Sequence, residues 1–423
     1  MNQSKAESFQ VLTASVLSGI YQHERASVLP TVTDAPIVAL VNHMIDEAIE
    51  NHASDIHIEP IHEGIRIRMR IDGELFEWQK PLPLPMQAVL TARIKIMSQL
   101  DTTEHRLPQD GRISYKYKSE AVDIRVSTMP VMDGEKIVLR LLNGSRQLMK
   151  IAELDFSPRN EALFQRWSHM PYGLITACGP VNSGKTTSLY AALSELNTIR
   201  KNIVTIEDPI EYSLAGVNQI QVNSKINLTF AKGLRSTLRQ DPDIIMVGEI
   251  RDEETAEIAI RAALTGRLLF TTLHTGDAVG AIFRLLDMGI VPYLLSASLI
   301  GIVAQRLVRR LCPACRKAYF VEEGSAEAIQ LGKYFRPGIK LYQAIGCDAC
   351  NCTGYKGRIA IHELLPITDA LRTAIIKRQD LPAFRELAVE SGMVSLFEDG
   401  IEKSIAGLTT LQEVRRIIYG EFC

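Results

Sequence analysis

Hydrophobic and polar residues alternate along this chain in more than one rhythm, and the changes of rhythm mark its parts. From Ala35 to Ile49 apolar side chains recur at helical spacing (Ile37, Leu40, Val41, Met44, Ile45, Ala48, Ile49). Ser54 to Pro60 alternates with a period of two and stops on proline, which predicts an edge strand. Ile65 to Ile71 alternates strictly, and Asp72-Gly73 is a hairpin turn into Glu74-Leu75-Phe76. A helix is predicted from about Pro85 to Ser98, on the series Met86, Val89, Leu90, Ala92, Ile94 and Met97. Asp110-Gly111 and Asp133-Gly134 are further turns among the strands Arg112–Tyr117, Ala121–Ser127 and Lys136–Leu142. Hairpins packed on helices make residues 34–143 a smaller α+β lobe, preceded by a weakly patterned leader over 1–33 and followed by a polar linker over 144–156.

Past the linker the strands change character. Leu174–Ala177, Asn202–Ile206, Ile244–Val247 and Leu268–Thr272 are short, continuous apolar runs separated by helical stretches. Strands buried on both faces read this way, so residues 157–311 are predicted to form an α/β core on a mostly parallel sheet. The apolar stretch Ile290–Val303 reads as a buried helix. Residues 312–358 hold a cysteine cluster, and 359–423 read as helices with a polar tail. No apolar run reaches the ~18 residues a membrane-crossing helix needs, and the N-terminus lacks the pattern of a secretory signal.

Composition narrows the picture only a little. The 423 residues suffice for two or three domains. The chain is 46% apolar and 23% charged, and its net charge of -2 shows no electrostatic footprint of a nucleic-acid binder. Four of its seven cysteines fall into two C-x-x-C pairs, a usage that fits an intracellular chain binding metal better than a disulfide framework.

The strongest chemical signal is Gly179-Pro180-Val181-Asn182-Ser183-Gly184-Lys185-Thr186, which fits G-x-x-x-x-G-K-[ST] between a predicted strand and a predicted helix. The loop and helix start from Gly179 through Thr187 can cradle a polyphosphate with their backbone N–H groups, Pro180 excepted, Lys185 can reach the β/γ-phosphates, and the Thr186 hydroxyl can ligate Mg²⁺. Two later strands end in acids. Val204-Thr205-Ile206-Glu207-Asp208-Pro209-Ile210-Glu211 reads as magnesium and water organisation or as a solvated turn opening at proline. Ile244-Ile245-Met246-Val247-Gly248-Glu249 places its acid one residue past the usual strand-end position. Glu249 ranks ahead of Glu207 as the group that activates water, and sequence does not separate them; Asp243 is assigned to a cap or turn. His274, closing Leu269–Thr275, is either a sensor of the γ-phosphate or a neutral histidine in a structural hydrogen bond. The pairs Cys312/Cys315 and Cys347/Cys350 match a closed tetrahedral Zn²⁺ site, with Cys352 a competing ligand and a redox dithiol the alternative chemistry.

Together these stretches resemble the assembly ATPases of type II secretion and type IV pilus systems. The resemblance rests on ASDIHIEP (53–60), IRMRIDG (67–73), RLPQDGRI (106–113), IRVSTMPVMDGEKIVLRLL (124–142), GPVNSGKTTSLY (179–190), TIEDPIEY (205–212), LRQDPDIIMVGEIRDEETAEIA (238–259), TTLHTGDA (271–278), RLLDMGI (284–290) and GCDACNCTGYKGR (346–358). It implies a RecA-like ATPase core that binds ATP and Mg²⁺, an acidic box at Glu207–Glu211, an atypical Walker B glutamate at Glu249 and a histidine box ending at His274. It also implies nucleotide-approaching arginines at Arg125 and Arg140, and a zinc module on the four paired cysteines. The partners implied are five further copies in a six-fold ring, a polytopic inner-membrane platform protein and a membrane recruitment protein, with the chain on the cytoplasmic side. The rivals are a DNA-translocating ring ATPase and a non-catalytic ATP-binding scaffold. Three departures stand out: Val181-Asn182 replaces the usual Thr-Gly, Arg267 stands at the usual first histidine of the histidine box, and only about 35 residues precede the first matched lobe. The last of these favours a pilus-type or streamlined system, or a different recruitment surface.

Overall fold

In the computed structural model, which describes residues 10–18, 20, 35–142 and 148–420, the alternating segments of the first unit pair into one six-stranded antiparallel sheet. Its strands are β1 (Asp55–Ile61), β2 (Gly64–Ile71), β3 (Glu74–Glu77), β4 (Gln109–Tyr117), β5 (Glu120–Val131) and β6 (Gly134–Leu142). Their spatial order is β3-β2-β1-β6-β5-β4. The expected edge strand Ser54–Pro60 is therefore central. β6 pairs only with Asp55 to Ile58 of β1, so Pro60, which lacks an N–H, lies past the last paired residue although β6 itself runs on to Gly134. One face of the sheet buries Ile56, Ile67, Ile124, Ile137 and Leu139 against helices α1 (Ala35–Glu50) and α2 (Gln87–Met97). Val16 and Ile20 join this core; residues 1–9, 19 and 21–33 of the leader lie outside the described residues.

The other face is polar. Arg70, Asp55, Arg140, Arg125 and Arg112 stand directly opposite one another across five strands. Asp55 takes a hydrogen bond from Arg140 Nε at 3.0 Å. Glu59 gathers Arg66 at 3.1 Å, Arg68 at 2.8 Å and Lys136 at 2.9 Å. Burial alone would raise the Glu59 carboxyl, but the bonds from Arg68 and Lys136 prevail and hold it down to about 2.

The second compact unit begins at Leu148; of the segment 144–156 expected as a linker, 144–147 lie outside the described residues and Ile151 and Leu154 are buried in this unit's core. Its seven-stranded sheet comprises β7 (Gly173–Cys178), β8 (Ile203–Glu207), β9 (Asn218–Gln221), β10 (Ile244–Val247), β11 (Leu268–Leu273), β12 (Leu299–Leu311) and β15 (Tyr355–Pro366), in the order β15-β12-β7-β11-β10-β8-β9. Every neighbouring pair is parallel except β12 with β15. Helices α3 (Pro158–Ser168) and α4 (Lys185–Leu196) cover one face through Phe164, Trp167 and Tyr190. The other face is covered by α6 (Glu253–Leu264), α7 (Ala278–Asp287) and α8 (Pro292–Ser298), and by α10 (Asp369–Ile376) and α11 (Leu381–Glu390). Between β9 and β10 lies α5 (Phe230–Thr237).

Two expectations need correction here. The apolar stretch Ile290–Val303 is a short helix, α8, opened by Pro292, and then the start of β12. A strand buried on both faces shows no alternation, so its pattern cannot be told from that of a buried helix. Likewise 359–366 is not helical: it completes β15, the last strand of the sheet, before α10, α11, α12 (Leu396–Ile405) and α13 (Leu411–Tyr419). Between β12 and β15 sit the hairpin strands β13 (Lys317–Phe320) and β14 (Lys340–Gln343) with helix α9 (Ala326–Leu331) and the cysteines.

Candidate active site

Three adjacent parallel strands deliver the main groups. β7 leads into the phosphate loop, its neighbour β11 ends just before His274, and β10, beside β11, ends just before Gly248-Glu249. The carboxyl ends of parallel strands are where such sheets bind ligands. All six residues of β7 are buried, so the loop springs from a rigid base. Gly179 and Gly184 both have positive φ, +152° and +87°. A Cβ on Gly179 would come within 2.5 Å of the Gln305 carbonyl oxygen, and one on Gly184 within 2.6 Å of Gln305 Nε2. No other residue type fits at either place.

Asn182, where the family resemblance leads one to expect glycine, also has a positive φ, +63°. Asparagine is the side chain that tolerates this left-handed region best after glycine, so the turn survives the replacement. Lys185 is 8% exposed and its Nζ donates to the carbonyls of Gly179 at 2.8 Å and Pro180 at 2.7 Å. Burial, reinforced by the charge of Arg306, brings this lysine down to about 8.

Glu249 is also 8% exposed. Its Oε1 meets Arg251 Nη2 at 2.6 Å, while Oε2 lies 3.4 Å from His274 Nε2 in an alignment too poor for a hydrogen bond. Oε2 and the Ser183 hydroxyl are buried polar atoms without a hydrogen-bond partner among the described residues. Polar groups left short of partners around a loop of backbone amides fit a bound polyphosphate with its magnesium.

Glu207, ending β8, is 2% exposed and differently placed. Its carboxylate accepts from the Tyr190 hydroxyl, from Thr205 Oγ1 at 2.5 Å and from Gln219 Nε2 at 3.1 Å. Burial and the neighbouring carboxylate push the Tyr190 phenol far above its ordinary range. Tyr190 and Gln219 escaped sequence reading because nothing marks which residue of α4 or β9 will face a strand end. Asp208 and Glu211 of the acidic stretch are exposed. Asp243 accepts from the Asn202 backbone N–H at 2.7 Å, in the turn role expected of it. Thr186 and Thr187 stand in the first turn of α4, beneath the loop. Arg125 and Arg140 belong to the first unit's polar face, described above. Arg267 is half-buried and donates to Thr265.

A second centre lies beyond β12. One sulfur atom from each of Cys312, Cys315, Cys347 and Cys350 lies within 4.8 Å of all the others. Sγ–Sγ separations are 3.9 Å for Cys312–Cys347, 3.9 Å for Cys315–Cys350 and 3.8 Å for Cys347–Cys350. A tetrahedron with metal–sulfur bonds near 2.3 Å has edges of about 3.8 Å, so the donor set fits a metal ion. Cys350 Sγ accepts the backbone N–H groups of Cys347 and Gly354, each at 3.2 Å. Burial pushes this thiol up, but those amides and its thiol neighbours outweigh it and bring it to about 7. Cys352 is exposed and outside the cluster, in a left-handed turn at φ +59°, which removes it as a competing ligand.

A parallel α/β sheet with a glycine-bounded phosphate loop after one strand and acids after two others defines a P-loop nucleotide-binding protein. The chain belongs to the type II/IV secretion system protein family, which it matches over residues 31–416. The type II secretion system protein E of Dickeya dadantii (strain 3937) is 49% identical over 385 residues, 91% of this chain and 76% of that protein. The type IV pilus assembly ATPase PilB of Myxococcus xanthus (strain DK1622) is 48% identical over 383 residues, 90% of this chain and 68% of that protein. Among solved structures, the pilus retraction motor PilT with bound ADP superimposes with a TM-score of 0.60 at 27% identity, covering 88% of this chain and 94% of that one. The Legionella pneumophila ATPase DotB shares the fold, with a TM-score of 0.68 at 22% identity over 90% of this chain and 96% of its own. No described helix is long and apolar enough to cross a membrane.

Proposed function

We propose that this chain hydrolyses ATP and that, as a ring of copies on the cytoplasmic face of a membrane, it drives assembly of a type IV pilus or of the fibre of a type II secretion system. The observation that carries the reading is the conjunction at the phosphate loop: a buried lysine folded onto its own loop beside a glutamate with one uncommitted oxygen. Lys185 would exchange the Gly179 and Pro180 carbonyls for phosphate oxygens. The loop amides and the Ser183 hydroxyl would complete the cradle. Thr186 would hold magnesium, which when bound neutralises charge on the β- and γ-phosphates. Glu249 would orient the attacking water through Oε2 and take its proton, with Arg251 fixing the opposite carboxylate oxygen and His274 reporting the state of the γ-phosphate. Arg125 and Arg140 would add positive charge to a nucleotide from the first unit of the same or a neighbouring copy. The relatives named for type II secretion and for pilus assembly support the cellular role equally, and a platform protein in the membrane would be the partner that receives the motion. The four clustered cysteines would hold one Zn²⁺, closed to water and structural.

The test is specific ATPase activity against protein concentration, with particle mass measured on the same samples. Activity that rises as six-chain particles form supports sites completed by neighbours; a flat rate from single chains removes the ring. Lys185→Ala should abolish turnover, and unchanged turnover would sink the site. Metal analysis should find about one zinc per chain, lost in the Cys312→Ser/Cys347→Ser variant; a reversible disulfide in its place would sink the zinc assignment.

A further inference from the structure

β12 overruns the strand it pairs with. Its parallel pairing with β7 ends at Ala304 opposite Cys178, the last residue of β7, and β12 then continues to Leu311. The two residues past that point, Gln305 and Arg306, face opposite sides of the sheet. Each takes hold of a different loop of the site. Gln305 is 3% exposed, and its Oε1 accepts the Ser188 hydroxyl at 2.7 Å in the first turns of α4. Its carbonyl oxygen fills the space a Cβ on Gly179 would need, and its Nε2 fills the space a Cβ on Gly184 would need. One buried carboxamide and its own backbone therefore touch both glycines that bound the phosphate loop and the helix that leaves it.

Arg306 donates through Nη2 to the Gly276 carbonyl at 2.9 Å, in the loop that carries His274. Its Nη1 is buried without a partner among the described residues. Taking an amide and a guanidinium out of water is costly unless they are used. Both neighbours on the strand, Ala304 and Leu307, are apolar. An apolar pair here would have continued the run at no such cost.

We propose that Gln305 and Arg306 are positioning residues for the hydrolysis described above: Gln305 sets the phosphate loop against α4, Arg306 sets the His274 loop, and their adjacency on one strand fixes the two loops relative to each other. The inference rests on the nucleotide reading of the site. Neither side chain needs to touch phosphate, because each acts through the loop it holds.

The experiment uses the full chain, with steady-state kinetics in ATP and calorimetric titration with MgADP. Gln305→Met keeps the volume and removes the amide; it should raise the KM for ATP and the Kd for MgADP roughly tenfold, with kcat within about twofold. Ser188→Ala should move the same two constants in the same direction, and the Ser188→Ala/Gln305→Met double variant should go no further than Gln305→Met alone. Arg306→Gln should lower kcat roughly tenfold with KM little changed, and Arg306→Lys, which keeps a charge and a donor for Gly276, should recover most of it. Phe384→Leu, a buried cut in α11, is the stability control: it should lower Tm with KM and kcat unchanged. Wild-type constants in Gln305→Met and Arg306→Gln, or changes that merely track Tm, overturn the inference. If Gln305→Met does not fold, the Ser188→Ala constants decide its half. A wild-type chain that binds no MgADP overturns the nucleotide reading itself, and this inference with it.

Discussion

Glu207 closes β8 and Glu249 follows β10, hydrogen-bonded neighbours in one parallel sheet, and both carboxylates are almost wholly withdrawn from water. From the residues alone they are rival candidates for one task. The structure separates them by what their oxygens already hold. Glu207 is bound by Tyr190, Thr205 and Gln219, donors from a helix and two strands that lock it in place. Glu249 has one oxygen tied to Arg251 and one left without a hydrogen bond. A buried acid whose two oxygens both already accept hydrogen bonds from fixed donors is a structural joint, because a reacting molecule would have to displace those donors. An acid held at one end and open at the other can take a proton. On the proposed function, Glu207 would hold α4 and β9 on the sheet and Glu249 would carry the chemistry.

The sharpest way to break this contrast is to remove both charges separately. Glu249→Gln should cut kcat by about 10²–10⁴-fold while ATP stays bound, the usual range for loss of a general base. Glu207→Gln should leave kcat within about tenfold and lower Tm instead, since its new amide N–H₂ faces hydroxyl donors. The reverse ranking in single-turnover rates would exchange the two roles.

A smaller effect is expected one residue further out. Tyr190→Phe removes one donor from Glu207 and should cost about 1–3 kcal/mol of stability by denaturant unfolding, with turnover near that of the wild type. Arg251→Ala frees the second Glu249 oxygen and should change kcat by only a few-fold without lowering Tm. A large loss of stability there would mean that Glu249, too, is chiefly structural.

The faintest signal lies in the pH dependence of stability without nucleotide. Lys185 sits at about 8 in the fold, below the ~10.4 of an unfolded lysine. Below pH 8 both states carry the charge and its burial counts fully against the fold. As pH climbs from about 8 towards 10.4 the folded lysine is already neutral and that cost is relieved. Lys185→Met should therefore raise Tm relative to the wild type below pH 8, and lose this advantage by about pH 10.4. In a Glu249→Gln background the window should move to lower pH, because the Glu249 charge props the lysine up. In a Glu207→Gln background it should stay put. Identical shifts in both backgrounds would erase the distinction between the two acids.

Much of this was legible in the residues. The hairpins of the first unit alternate because one face meets α1 and α2 and the other meets water. The phosphate loop and the two C-x-x-C pairs carry their geometry in their spacing. What could not be read was anything that depends on which element lies beside which. The first half of β12 and residues 359–365 of β15 are buried almost without interruption and show no alternation, so their pattern fits a buried helix as well as a strand. Pro60 marks an edge in most sheets, but here it is the pairing with the neighbouring strand that stops short of it. Glu207 and Glu249 were inseparable because the donors that distinguish them come from Tyr190 and Gln219, at sites fixed only by the folded sheet. Gln305 and Arg306 left one signal: a polar pair interrupting the apolar run Ile302-Val303-Ala304 and Leu307-Val308.

Asn182 has a consequence that concerns the loop before anything binds. A glycine at that left-handed corner would roam freely on both sides of the backbone map, and closing on a phosphate would freeze that freedom. A residue with a Cβ has fewer conformations to begin with, so less disorder is lost when the loop is fixed. The exposed tip Val181-Asn182 is thus stiffened by its own side chains. The entropy of ordering the loop therefore weighs less against each round of nucleotide capture.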